Sequence, residues 1–277
     1  MKIKKIFIGV FLLAFFVGTL AYFLTPKLEN KIERKEIVEE VPQKTHQTIV
    51  INKIKPEIIE ETVNWQEEDE SKFKIKLLET GEDYHGNEIN AETGEIWLGL
   101  FKVKDGYFLR NTKIKIKKVN DSIGDENWEE TGKSVSVTGK EQATFLLKNA
   151  EFLSPGKVRT VFHAETDENY VSLENGFKEY YYFNGIKYTL RVEGESNTSK
   201  LILETEDSRQ VLFYVSSMGD ATWDLLWIGD LDGDGKLDLY ANLPTFYNFA
   251  QHRLFLSSQA KNGELVKQVA MFHMTGC

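Results

Sequence analysis

Apolar and polar residues alternate in short stretches from Trp65 onward, most plainly over residues 73–78 (FKIKLL) and 112–119 (TKIKIKKV). A period of two sends successive side chains to opposite faces of a strand. Both stretches therefore predict sheets with one wet face, and with it antiparallel pairing. Further strands are predicted over residues 157–162, 201–205, 211–216, 225–228, 237–240, 253–257 and 265–272. Turn signals at Ser154-Pro155-Gly156, Asp207-Ser208 and Asn262-Gly263 separate several of them. The sharpest local signal covers residues 180–192 (YYYFNGIKYTLRV), where Asn184-Gly185 sits between two strand-like runs. Asn and Gly tolerate the positive φ of a type I′ turn, so this segment predicts a hairpin. A second pair, Asn175-Gly176, precedes it. No self-similarity at the period of about 40–50 residues typical of propeller blades is evident. The expected fold is mainly β, with antiparallel sheets arranged as a sandwich or a partial propeller.

The N-terminus departs from this pattern. Residues 6–24 (IFIGVFLLAFFVGTLAYFL) carry no charge and lie between Lys2, Lys4 and Lys5 on one side and Thr25-Pro26-Lys27 on the other. At ~1.5 Å of rise per residue a helix of this length reaches the ~30 Å of a bilayer core. Residues 1–25 read as an uncleaved signal anchor, a single transmembrane helix; the alternative is a leader cleaved near Thr19-Leu20-Ala21 and a secreted product. A lipoprotein is excluded, because the one cysteine is Cys277, at the far end of the chain. Residues 26–64 are rich in Glu and Lys and broken by Pro42 and Pro56, which reads as a charged stalk. Residues 65–277 then form the β domain, with a composition shift near residues 151–156 that marks a candidate subdomain break.

Charge narrows the partners. The chain holds 34 basic against 43 acidic residues, a net charge of −9. Nucleic-acid binding rests on Lys and Arg neutralising phosphates, so it is disfavoured, and divalent cations or cationic partners fit better. A single cysteine permits no intrachain disulfide and no Cys-rich metal site; Cys277 is either an intermolecular or reactive thiol or a small apolar chain end.

One stretch carries chemistry. Asp230-Leu-Asp232-Gly-Asp234-Gly235-Lys236-Leu-Asp238 reads D-x-D-x-D-G-x-x-D. Its four carboxylates converge if the chain wraps tightly, Lys236 can offer its backbone carbonyl, and Gly235 permits the sharp turn. Hard oxygen ligands select Ca2+ over zinc or copper. The alternative, an Asp-Gly turn pointing into solvent, leaves mutual repulsion of up to ~4 kcal/mol for a pair about 4 Å apart. An EF-hand requires a Glu at its twelfth position, which here is Ala241, and helices where the flanks look like strands. Over residues 225–242 the motif resembles the strand-loop-strand calcium loop of FG-GAP, VCBS-type and integrin-α-like propeller repeats. That resemblance implies metal ligation by Asp230, Asp232, Asp234, the Lys236 carbonyl and Asp238. The wider C-terminal stretch resembles that of uncharacterised bacterial secreted or membrane-anchored proteins, which implies a compartment but no activity.

Catalytic signatures are absent. The five histidines show no H-x-H or H-E-x-x-H spacing, and no G-x-S-x-G elbow, Walker loop or dinucleotide turn appears. His163-Ala-Glu165 imitates half of a zinc deaminase signature whose paired cysteines do not exist here. Two aromatic groups are candidate surfaces. Alternation puts Tyr180 and Tyr182 on one face of the hairpin with Tyr181 on the other, and Phe246, Tyr247 and Phe249 follow Pro244 in the loop after the calcium strand. The expectation is a non-catalytic calcium-binding β module at the cell membrane, single-pass, its C-terminal domain in the periplasm or at the cell surface. A loop of modest affinity would sit empty in a calcium-poor cytosol. Phe246, Tyr247 and Phe249 would contact an envelope polysaccharide or protein. The alternative is an envelope hydrolase with dispersed acidic catalysts.

Overall fold

The computed structural model describes residues 58–59, 70–126, 129–139, 141–164, 171–195, 198–217 and 220–275. All lie in one compact unit, Asn52–Cys277. The apolar run at residues 6–24, the residues read as a stalk (26–64) other than Ile58–Ile59, and Cys277 fall outside the described residues. Among the described residues no helix is long and apolar enough to cross a membrane.

The strands are β1 (Ile58–Ile59), β2 (Lys76–Leu78), β3 (Asp83–Tyr84), β4 (Ile96–Val103), β5 (Gly106–Val119), β6 (Gly132–Val137), β7 (Ala143–Lys148), β8 (Gly156–His163) and β9 (Val171–Ser172). They continue with β10 (Lys178–Phe183), β11 (Ile186–Glu193), β12 (Ser199–Glu204), β13 (Arg209–Val215), β14 (Asp224–Asp230), β15 (Asp238–Asn242), β16 (Phe249–Leu256) and β17 (Lys267–Thr275). The larger sheet follows the order β17-β16-β15-β14-β8-β5-β4-β7-β2, and β2 returns beside β17, so the sheet is a nearly closed barrel. A smaller sheet has the order β1-β13-β12-β11-β10. Every pairing is antiparallel except β1 with β13. The mainly β, antiparallel expectation therefore holds, in the form of a curved barrel-like sheet with a second sheet against it. Ile58–Ile59, read as stalk, extends the smaller sheet. β8, which begins at Gly156, pairs with both β5 and β14.

Strands β14, β15 and β16 are buried on both faces, and their side chains divide between two cores. Trp227, Tyr240 and Leu254 enter one with Leu100 and Phe145. Ile228, Leu239 and Phe255 enter the other with Leu201, Leu203 and Phe213 of the smaller sheet. Registers Trp227↔Tyr240↔Leu254 and Ile228↔Leu239↔Phe255 set each trio across the strands. Each fully buried Leu, Ile or Phe contributes about 1.5–3 kcal/mol, so these three strands anchor both cores at once. Double burial also explains why their sequence reads as nearly continuous apolar runs.

Two local expectations resolve differently. At residues 73–78 only Lys76–Leu78 is strand, because a 3-10 turn at Glu70–Lys72 directs the Phe73 N–H to the Glu70 carbonyl and bends the chain. The 184–185 hairpin forms as expected, with Asn184 at φ 48° and Gly185 at φ 81°.

Candidate functional site

The acidic loop joins β14 to β15. Asp230 ends one strand and Asp238 begins the next, so the sheet fixes the two outer carboxylates, and buried Leu231 and Leu237 fasten both ends of the loop to the core. Between them the chain turns through Gly233 (φ 77°) and Gly235 (φ 83°), a backbone region that β-carbons disfavour. The carboxylates draw amides inward as it turns. Asp230 Oδ2 accepts the Gly235 N–H (3.2 Å), Asp232 Oδ1 the Asp234 N–H (3.2 Å) and Asp234 Oδ1 the Lys236 N–H (2.8 Å).

Asp230, Asp232 and Asp238 each present an oxygen within 4.8 Å of the others. Calcium–oxygen distances of about 2.3–2.6 Å place two ligands of one ion no more than about 5 Å apart, so these three fit one cation. Asp234 and Lys236 lie in the same loop but are exposed and outside that trio. Asp238 is fully buried; its oxygens accept the Leu231 N–H (2.7 Å), the Ser257 N–H (2.8 Å) and the Ser257 hydroxyl (2.8 Å). Asp230 is 6% exposed, and its Oδ1 is buried with no hydrogen-bond partner. Burial, with the charge of Asp232 adding to it, pushes the Asp238 carboxyl up to about 8, and burial raises Asp230 as well. A proton or a cation thus relieves this site.

Side chains that sequence reasoning did not reach complete the surroundings. Ser257 and Ser258, just after β16, bond to the loop: the Ser257 hydroxyl lies 3.0 Å from Asp234 Oδ1, and the Ser258 hydroxyl donates to Asp232. Asn184 of the hairpin donates to the Gly235 carbonyl at 2.6 Å and accepts from Arg159 at 2.7 Å. The two strongest local motifs of the sequence therefore touch.

A second feature lies at the other end of β15 and β16. β15 covers five residues, roughly 17 Å at 3.3 Å each, and the loop beyond it borders a cleft of about 840 Å³. Phe246 and Phe249 line this cleft, whereas Tyr247, 73% exposed, does not. The Phe249 ring centroid lies 6.1 Å from that of Phe246 and 4.7 Å from that of His273. The cleft sits at the barrel seam, where three-residue β2 is shorter than nine-residue β17. Glu70 accepts the His273 N–H (2.8 Å) and Glu88 the Thr275 N–H (2.6 Å), which caps strand donors that β2 does not reach.

The barrel also encloses a polar group. The Tyr240 hydroxyl donates to Glu79, His252 Nδ1 lies 2.8 Å from the same carboxylate, and the buried Tyr84 hydroxyl has no hydrogen-bond partner. Burial, reinforced by the Glu79 charge, raises both tyrosine hydroxyls. Compared with models of known protein families, with curated proteins and with solved structures, the chain matches none.

Proposed function

We propose that this chain is a non-catalytic β module that holds one Ca2+ at Asp230, Asp232 and Asp238, with Asp234 and the Lys236 carbonyl completing the ligand set. The observation that carries the reading is the buried, unpartnered Oδ1 of Asp230 in a carboxylate that clusters within 4.8 Å with Asp232 and the fully buried Asp238. An oxygen-only donor set suits a hard divalent ion and disfavours zinc or copper. The loop joins three parts of the fold, so an ion there would fasten the β14–β15 turn to Ser257 and Ser258 and to the Asn184 hairpin. Binding to the folded state alone raises stability in proportion to the logarithm of ligand over Kd.

Residues 6–24 supply the reason to place the module outside the cytoplasm, tethered by one membrane span or released by cleavage of the leader. Two measurements test these statements. Thermal unfolding of the purified full chain should rise by several degrees between excess chelator and millimolar calcium, and Asp232→Ala should remove the shift. Protease added to intact cells should digest the β domain; protection equal to that of a cytosolic control would defeat the placement.

A further inference from the structure

We infer that the cleft at the seam between β2 and β17 binds a neutral oligosaccharide. At about 840 Å³ it falls in the range of ligand-sized pockets. Its floor is apolar, formed by Leu77, Leu78 and Phe272, and its lip is aromatic, with Phe246 left 56% exposed at the mouth. Such a ring offers a flat apolar face to the C–H face of a sugar, while polar lining groups meet hydroxyls. The exposed Asn90 and Lys76 line the cleft too, and neither side chain makes a hydrogen bond or ion pair among the described residues.

Charge decides against an anionic ligand. Glu70, Glu88, Lys76 and Lys148 border the cleft, and Lys148 is paired with Glu95 at 2.8 Å, so a slight acidic excess remains that repels an anion. Burial lowers the pKa of His273, which leaves that ring uncharged at neutral pH. A peptide adding as a strand along β17 is disfavoured too, because the His273 and Thr275 amides it would need are held by Glu70 and Glu88. The inference stands apart from the calcium reading, since cleft and acidic loop lie at opposite ends of β15 and β16.

The test titrates the purified full chain by calorimetry with cellohexaose, chitohexaose, maltohexaose and mannohexaose. An oligogalacturonate and an extended Val/Thr-rich peptide serve as competing classes, and all runs are made with and without calcium. Saturable binding of at least one neutral oligosaccharide is expected in either buffer. Phe246→Ala should weaken it about tenfold, Asn90→Ala should weaken it less, and Tyr247→Ala should leave it unchanged. Unaltered melting temperatures of the variants would show that the fold is kept. Absence of neutral-sugar binding at millimolar concentration, binding of the acidic sugar or peptide alone, or equal affinity in Phe246→Ala would overturn the inference.

Discussion

Replacing Asp238 by Asn separates the cost of burying a charge from the benefit of holding an ion. In the metal-free protein the Asp238 carboxyl is pushed up to about 8 by burial and by Asp232, while in the unfolded chain it titrates near 4. Between those values the folded state keeps a proton that the unfolded state has released. Stability is therefore fully present below about pH 4, falls as pH rises, and levels off above about pH 8. The slope is on the order of 1 kcal/mol per pH unit, a few kcal/mol over the whole window. Asn cannot titrate, so the variant should lose one proton's worth of this slope; the raised Asp230 retains its own, weaker share. The amide also gives up one of the two acceptor oxygens that meet Leu231 and Ser257. That constant penalty of about 1–3 kcal/mol shifts the curve without tilting it. Urea melts in chelator at half-unit steps from pH 4.5 to 8.5, followed by fluorescence of buried Trp223 and Trp227, read both effects. With calcium present the wild-type slope should flatten, because the ion replaces the proton, and Asp238→Asn should gain nothing from calcium. Equal slopes for the two proteins in chelator would refute the assignment of that proton to Asp238.

Other substitutions probe the supports of the site. Gly235→Ala places a β-carbon at φ 83° and 3.1 Å from Asn184 Nδ2, whereas Gly233→Ala, at φ 77°, meets nothing within 4 Å. The first should cost more than the roughly 1–2 kcal/mol of the left-handed region alone, and the second about that much, by denaturant midpoint. Asn184→Gly keeps the turn but removes the bonds to Gly235 and Arg159; a loss of about 1–2 kcal/mol and weaker calcium binding by calorimetry should follow. Glu79→Ala takes away the acceptor of the Tyr240 hydroxyl and the carboxylate 2.8 Å from His252 Nδ1. It should cost about 3 kcal/mol, with Glu79→Gln recovering part of it in the same melts.

Local chemistry made some features readable from the sequence, and non-local packing hid the rest. The Asn184-Gly185 turn and the aspartates of residues 230–238 are written in adjacent residues; the turn forms as expected, and three of the four aspartates, Asp230, Asp232 and Asp238, bring oxygens within 4.8 Å of one another. Strands such as β12 and β14 announced themselves with ends shifted by a few residues. β4 and β7 did not, because Leu100 with Phe101 and Leu146 with Leu147 are buried on both faces, which erases alternation. The barrel depends on β5 pairing with β8 and on β2 returning beside β17, contacts that no local pattern encodes. Glu79 and Tyr240 meet across 161 positions, and Ser257 and Ser258 read as an ordinary strand end. Tyr247 looked equivalent to its neighbours because a loop has no period from which to tell which ring turns inward.

Calorimetric titration of calcium into the chelator-treated full chain at pH 7.4, alongside Asp230→Asn and Asp232→Ala, bears most directly on the acidic loop. The expected result is a single saturable site in the wild type, lost in both variants. Absence of heat and of any thermal stabilisation at millimolar calcium, or undiminished binding in the variants, would contradict it.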